Sequence, residues 1–254
     1  MSIAFTPDAA TLALLAPTGR LRAVINLGNP ILAGTDPATG RARGVSVDLA
    51  QALADRLGVP LETIAVQAAT RSVDAVNGGA ADIGFFAIDP LRGAEIAFTD
   101  AYLLIEGAYL VRDDSPCNAN EDVDRAGTTV VVGQGSAYDL FLSRELEQAT
   151  FVRVPGAAEV VETLRAGQAD VAGGIRQVLV EVAERTPGVR VLPGRFMVIR
   201  QAMGVARARG AGAERALRTF VEEMKATGFV ADAMQRHGVA GASVAPPDAG
   251  APAP

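Results

Sequence analysis

The sequence predicts an α/β chain of mainly parallel sheet flanked by helices, long enough for one large domain or two similar lobes. Three observations carry this. Short β-branched runs alternate with amphipathic stretches throughout, the pattern of α/β layers. The length of 254 residues and a hydrophobic content of 49% suffice for a real core and exclude general disorder. Third, Val73-Asp-Ala-Val-Asn-Gly-Gly-Ala-Ala-Asp-Ile83 is echoed by Val161-Glu-Thr-Leu-Arg-Ala-Gly-Gln-Ala-Asp-Val171. Each reads as helix, Gly cap and strand start. The echo fits two similar lobes, or the reuse of a common helix–Gly–strand unit.

The elements follow in order. Residues 1–16 lack a basic start and carry Asp8, with an apolar run only over 12–16. They read as a helical leader packed on the body rather than a secretory signal. Residues 21–27 form a strand leading into the turn Gly28-Asn29-Pro30. Ser46 caps a helix whose apolar positions Val47, Ala50, Leu53, Ala54 and Leu57 keep the helical period, and Gly58 ends it. A helix at 73–77, a strand at 82–88 and a strand at 108–111 follow. The middle holds strands at 128–132, 151–154 and 169–172, with helices at 138–146, 157–166 and 177–185. The last third holds a strand near 201–206 and helices at 213–226 and 230–236. The Pro- and Ala-rich tail from 243 to 254 is expected to be disordered.

Composition excludes several function classes. Net charge is −6, which argues against a partner held by nucleic-acid phosphates. One cysteine, Cys117, precludes an intramolecular disulfide and thiolate clusters, and one histidine, His237, precludes multi-histidine metal sites. No metal or cofactor is expected. Cys117 lies among Asp113, Asp114, Glu121 and Asp122, a poor setting for a nucleophile. His237 lies at a helix C-terminus, where a cation is favoured. Both read as structural. No Trp and three Tyr leave few platforms for stacking. Gly-Gln-Gly-Ser-Ala-Tyr, 133–138, lacks the Lys-Ser/Thr pair of a phosphate loop.

Four segments together resemble the family 3 solute-binding proteins, the amino-acid-binding components of ABC importers. They are GVSVDLAQALADRLGVPLE (44–62), VNGGAADIGFFAIDPLRGAEIAFTDAY (76–102), VVVGQGSAYDL (130–140) and LRAGQADV (164–171). The resemblance covers about residues 21–238, and 76–102 is its most specific part. It implies a periplasmic-binding-protein-like fold: two α/β lobes joined by two hinge strands, with ligand caught between them by closure. Lobe 1 would comprise 1–108 plus 200–254, and lobe 2 would be 109–199.

The resemblance assigns Arg92 to the ligand carboxylate, and a guanidinium fork suits that task. Asp89 or Glu95 are its alternative partners. Ser136 and Ala137, at a helix N-terminus, suit a carboxylate through backbone N–H groups and a hydroxyl, or Ser136 is an ordinary cap. Phe86 and Ala87 stand where family members place Ser or Thr. Their backbone N–H groups can still donate, and Phe86 is either a pocket wall or core. Asn29 stands where the family has a stacking aromatic.

Family members that bind α-amino acids place an Asp five residues after the aspartate matching Asp170. Here that position is Ile175, followed by Arg176 and Gln177. If Arg176 faces the ligand, the ligand carries a second anionic or carbonyl group. Glu106, at the expected hinge, is an ammonium acceptor, a general acid or a salt-bridge partner. No residue is assigned a catalytic role. The function implied is capture of an amino acid or related small carboxylate for an ABC-importer permease, by a monomer. The location implied is periplasmic, with cytoplasmic as the alternative given residues 1–16. The competing readings are a cytoplasmic dehydratase-like enzyme on prephenate- or chorismate-type acids, and a soluble ligand sensor.

Overall fold

The computed structural model describes residues 4–247. The elements in chain order are α1 (Ala9–Leu15), β1 (Leu21–Asn26), β2 (Gly34–Thr35), β3 (Ala42–Arg43), α2 (Val45–Leu57), β4 (Leu61–Val66), α3 (Ala69–Asn77), β5 (Ile83–Ala87), α4 (Pro90–Gly93), β6 (Ile96–Phe98) and β7 (Leu103–Arg112). There follow β8 (Thr129–Gly133), α5 (Ala137–Glu145), β9 (Thr150–Val154), α6 (Ala157–Arg165), β10 (Val171–Ile175), α7 (Arg176–Arg185), β11 (Val189–Val191), β12 (Met197–Ala206), α8 (Ala211–Ala226), α9 (Phe229–Arg236) and β13 (Ala242–Val244). Among the described residues, no helix is long and apolar enough to cross a membrane.

The chain divides into two compact units. Unit 1 is residues 1–104 with 200–254, and unit 2 is residues 105–199. The chain passes out of unit 1 within β7 and returns to it within β12.

In unit 1 the strand order is β4-β1-β5-β12. β1 runs parallel to β4 and β5, and β12 is antiparallel to β5 and β6. Every residue of β5 is buried, so it reads as a continuous apolar run rather than an alternating one. On one face Val24, Val76, Ala81, Phe86 and Ile96 pack together. In unit 2 the order is β7-β10-β8-β9, with β10 parallel to β8 and antiparallel to β7. One core cluster joins Ala108, Leu110, Val131, Leu164 and Leu179, under α6 and α7. Another joins Tyr109, Val130, Val132, Leu142 and Leu192, with Tyr138, Phe141 and Phe196 against it.

The echo noted in the sequence recurs as matched geometry. α3 ends before Gly79 (φ 73°) and α6 before Gly167 (φ 71°), both in the left-handed region that Gly enters without penalty. Each turn delivers an aspartate to the start of a buried strand. Asp82 N–H donates to Arg22 O (2.8 Å), and its Oδ2 accepts from Arg22 N–H (2.9 Å). Asp170 N–H donates to Thr129 O (2.9 Å), and its Oδ2 accepts from Thr129 N–H (2.9 Å). The aspartate thus closes the end of a parallel ladder, where the next backbone donor would otherwise be unpaired.

The two copies differ in charge surroundings. The Asp82 carboxylate is fully buried against Arg22 (2.7 Å) and Arg209 (2.6 Å). Burial alone would raise this carboxyl. Hydrogen bonds from the Arg22 side chain and backbone and from Arg209 outweigh it and hold the group below its ordinary value. Asp170 is half-exposed, with Arg112 at 3.8 Å.

Three expectations are corrected. Ser46 lies inside α2 and the cap is Gly44, whose φ is 124°. A Cβ there would come within 2.4 Å of Leu32 O, so only Gly fits. Strand β4 was not anticipated; as a half-exposed edge strand its apolar pattern is weak. The tail is ordered at its start. Ala245 N–H donates to Tyr102 O (3.1 Å), and Pro246 O accepts from the Lys225 ammonium (3.1 Å). The rest of the expected disordered segment, 248–254, lies outside the described residues.

Two of the three tyrosines are buried and the third, Tyr138, is partly buried. Tyr102 is fully buried in unit 1, edge-on to Phe85. In unit 2 the Tyr109 ring lies 4.4 Å from that of Phe196, and Tyr138 packs on the same cluster. Burial pushes all three phenols above their ordinary value, aided for Tyr109 by the charge of Asp124.

Candidate functional site

In unit 1, β5 ends at Ala87 and the chain turns through Ile88 into α4. Asp89 caps α4, its Oδ1 accepting from Leu91 N–H (2.9 Å), with Pro90 in the first turn. This fixes Arg92 back against the strand end. Its Nη1 donates to Ala87 O (3.1 Å), and only 7% of the residue is exposed. Burial lowers its pKa and the nearby Asp89 opposes that. A guanidinium so placed is desolvated and held in a fixed orientation at the carboxyl end of a strand in an α/β sheet, where such folds bind ligands. It can grip a carboxylate with two parallel bonds.

Phe86 is not a pocket wall. Its ring packs in the core beside Phe98, because strand alternation turns it toward α3 and Val24. Asn29 is engaged locally: its Oδ1 accepts from Ile31 N–H (3.2 Å), and its carbonyl accepts from Leu32 and Ala33. It shapes the turn after β1 as an Asx residue does. Gln201 is buried beside Ala87 in register.

In unit 2, β8 leads through Gly135 (φ 66°) into α5. Ser136 is the N-cap, its Oγ accepting from Asp139 N–H (3.1 Å), and Ala137 is the first helical residue. Asp139 returns the bond, its Oδ2 accepting from Gly135 N–H (2.8 Å). The same buried carboxylate accepts from Arg153 Nε (2.9 Å) and Ser143 Oγ (3.2 Å). The turn is therefore braced from below by an ion pair. Sequence reasoning missed Asp139, although the Ser-x-x-Asp spacing of 136–139 was its signal.

At the start of unit 2, Glu106 is a salt-bridge partner. Arg195 Nη1 lies 2.6 Å from its Oε1, and Arg176 Nε lies 3.7 Å from its Oε2. Arg176 also donates to Gly194 O. Arg195, 89 residues from Glu106 in sequence, was not anticipated. It is placed by the returning chain: Phe196 N–H donates to Gly107 O (3.0 Å), and the Phe196 ring stacks on Tyr109 and Phe141. A Cβ at Gly107 would come within 2.8 Å of Met197 Cγ and 2.9 Å of that ring, so a side chain there would have to displace one of them. Gln177 points along its own helix, Nε2 donating to Glu181 (3.2 Å). Ile175 is the N-cap of α7. The structure thus brings Phe86's neighbour Ala87 to Arg92 in unit 1, and Glu106 to Arg176 in unit 2. Asn29, Phe86 and Gln177 are occupied elsewhere.

Residues 32–239 match the bacterial extracellular solute-binding proteins, family 3, and the chain belongs to that family. A glutamine-binding protein of Geobacillus stearothermophilus is 29% identical over 166 residues, which is 63% of this chain and 63% of that protein. The match thus spans less than two thirds of that relative. Among solved structures, a mutant of ArgBP from T. maritima aligns with a TM-score of 0.75 at 20% identity, covering 91% of this chain and 100% of that one. An ancestral amino acid-binding protein, described as a precursor of cyclohexadienyl dehydratase, aligns at 0.72 and 22% identity, covering 89% and 98%. At these identities the structural likenesses establish the fold.

Proposed function

We propose that this chain binds a small carboxylate solute, an amino acid or a related acid, as the receptor of an ABC importer, acting outside the cytoplasm with a membrane permease as its partner. Family membership supports the class of function. The observation that carries the ligand chemistry is Arg92, buried and oriented at the end of β5.

Binding rather than catalysis is the reading that family membership supports. Among the described residues, the Glu106 carboxylate is an ion-pair partner of Arg195 (2.6 Å) and stands 3.7 Å from Arg176 Nε. The ancestral neighbour, itself an amino acid-binding protein, is consistent with this.

The test is calorimetric titration of a panel of amino acids and small organic acids into the wild type and Arg92→Ala. Loss of a charge-assisted bidentate contact should weaken binding about a hundredfold. Unchanged affinity in Arg92→Ala would refute the carboxylate assignment.

A further inference from the structure

We infer that Gln201 is a ligand-binding residue of unit 1, its carboxamide donating to the carboxylate that Arg92 grips. This deepens the proposed function and rests on it. Gln201, Ala87 and Arg92 all belong to unit 1. Three observations support it.

The first is placement. β12 pairs antiparallel with β5, and Gln201 stands opposite Ala87. Ile88 N–H donates to Arg200 O (2.8 Å), while Gln201 O is turned the other way and accepts from Tyr102 N–H (2.8 Å). Ala87 and Gln201 are therefore a non-hydrogen-bonded pair, the kind whose Cα atoms come closest, at about 4.5 Å. Their side chains share the face opposite to that of Phe86. The Ala87 carbonyl holds Arg92 Nη1 (3.1 Å). Gln201 and Arg92 thus flank one residue at the carboxyl end of β5, where α/β sheets bind ligands.

The second is an unmet polar group. Gln201 is only 5% exposed. A carboxamide offers two N–H donors and an acceptor oxygen, and a buried one is almost always hydrogen-bonded. Among the described residues, that of Gln201 meets no partner. Buried polar side chains close by in unit 1 are satisfied: Thr99 Oγ donates to Asp100 O (2.7 Å), and Lys225 Nζ to Ala101 O (3.2 Å). The Ser72 hydroxyl is also unpaired, but it is sealed from solvent. The Gln201 carboxamide is not among the sealed groups, so it keeps an edge that a solute can meet.

The third is charge. Beside a guanidinium, the ligand atom to be served is an oxygen. The carboxamide NH2 adds a donor there without adding charge. The ligand class is a small carboxylate held by one charged and one neutral donor.

The experiment titrates the standard L-amino acids, 2-oxoglutarate, succinate and pyruvate into the full chain by calorimetry, then the best binder into Gln201→Met and Gln201→Glu. Methionine keeps the length of the side chain and loses the amide, so binding should weaken about tenfold. The ligand-free Gln201→Met chain should melt as high as the wild type or higher, because no bond within the protein is lost with the amide. A purely structural glutamine would not separate affinity from stability in this way. Gln201→Glu puts an anion where the donor was and should weaken binding further. Circular dichroism would verify that both variants fold. The inference is overturned if Gln201→Met keeps full affinity, or if its ligand-free form melts well below the wild type. It is equally overturned if Gln201→Glu binds more tightly, or if no compound binds at millimolar concentration. Arg92→Ala separates the two levels. Full affinity in Arg92→Ala refutes the carboxylate reading on which this one rests. Lost affinity there, with full affinity in Gln201→Met, refutes the role of Gln201 alone.

Discussion

Replacing Asp82 with Ala should destabilise the protein by about 3 kcal/mol, and the equivalent change at Asp170 by only about 1 kcal/mol. Both aspartates end a parallel ladder in the same way, so the difference isolates burial and charge. At Asp82 the change removes the acceptor of Arg22 N–H, of both Arg22 guanidinium bonds and of Arg209. Removing one partner of a buried ion pair costs ~3–5 kcal/mol. The two arginine side chains keep 20% and 17% exposure, so water recovers part of the loss and the low end applies. At Asp170 the side chain is 48% exposed and its arginine stands 3.8 Å away. Such a pair contributes ~0–1 kcal/mol, and one lost backbone bond adds about as much.

The assay is equilibrium urea unfolding followed by far-ultraviolet circular dichroism, with the units fitted separately where their transitions separate. Equal losses at the two sites, or a loss under about 1 kcal/mol at Asp82, would refute the argument. The pH dependence has a defined sign. Asp82 sits lower in the folded chain than its ordinary value of 3.8. Its stabilisation is therefore complete at neutral pH and is lost as pH falls below about 4, through the folded value. Between pH 5 and pH 3 the wild type should lose more stability than Asp82→Ala does.

Gly44→Ala should cost roughly 2–4 kcal/mol, because φ of 124° and a 2.4 Å approach to Leu32 O both oppose a side chain; thermal unfolding would measure it. Arg92→Lys keeps the charge and loses the fork, so ligand affinity should fall about tenfold, less than in Arg92→Ala, as read by calorimetry. Gly107→Ala should cost ~1–3 kcal/mol, since the new methyl strikes Met197 Cγ (2.8 Å) and the Phe196 ring (2.9 Å), which packs on Tyr109. Thermal unfolding would measure it.

The sequence made most of the scaffold legible because helix ends and buried strands obey local rules. The Gly58 cap and the two Gly–Ala/Gln–Ala–Asp turns needed only their own residues. Gly44 did not: its strain comes from Leu32, twelve residues back and in a different element. β4 hid because an edge strand with exposed Glu62 and Thr63 lacks a clean alternation. At the candidate site, Arg92 was readable from its motif, while Phe86 required knowing which face of β5 meets α3. The Arg195–Glu106 pair depends on the chain returning beside β7 after nearly ninety residues, and no local pattern encodes that. The Pro193-Gly194 turn before Arg195 was the available hint.

The enclosed tyrosines give this protein an optical clock. It has no Trp, so ultraviolet signals from its side chains come mainly from three phenols, one in unit 1 and two in unit 2. Each resists ionisation while buried. In buffer near pH 10, where a solvated phenol releases its proton, the native chain should show little phenolate absorbance. Opening unit 1 alone would release one third of the total rise, and opening unit 2 the other two thirds. The amplitude of each step in time would name the half of the molecule that had opened, with no label attached.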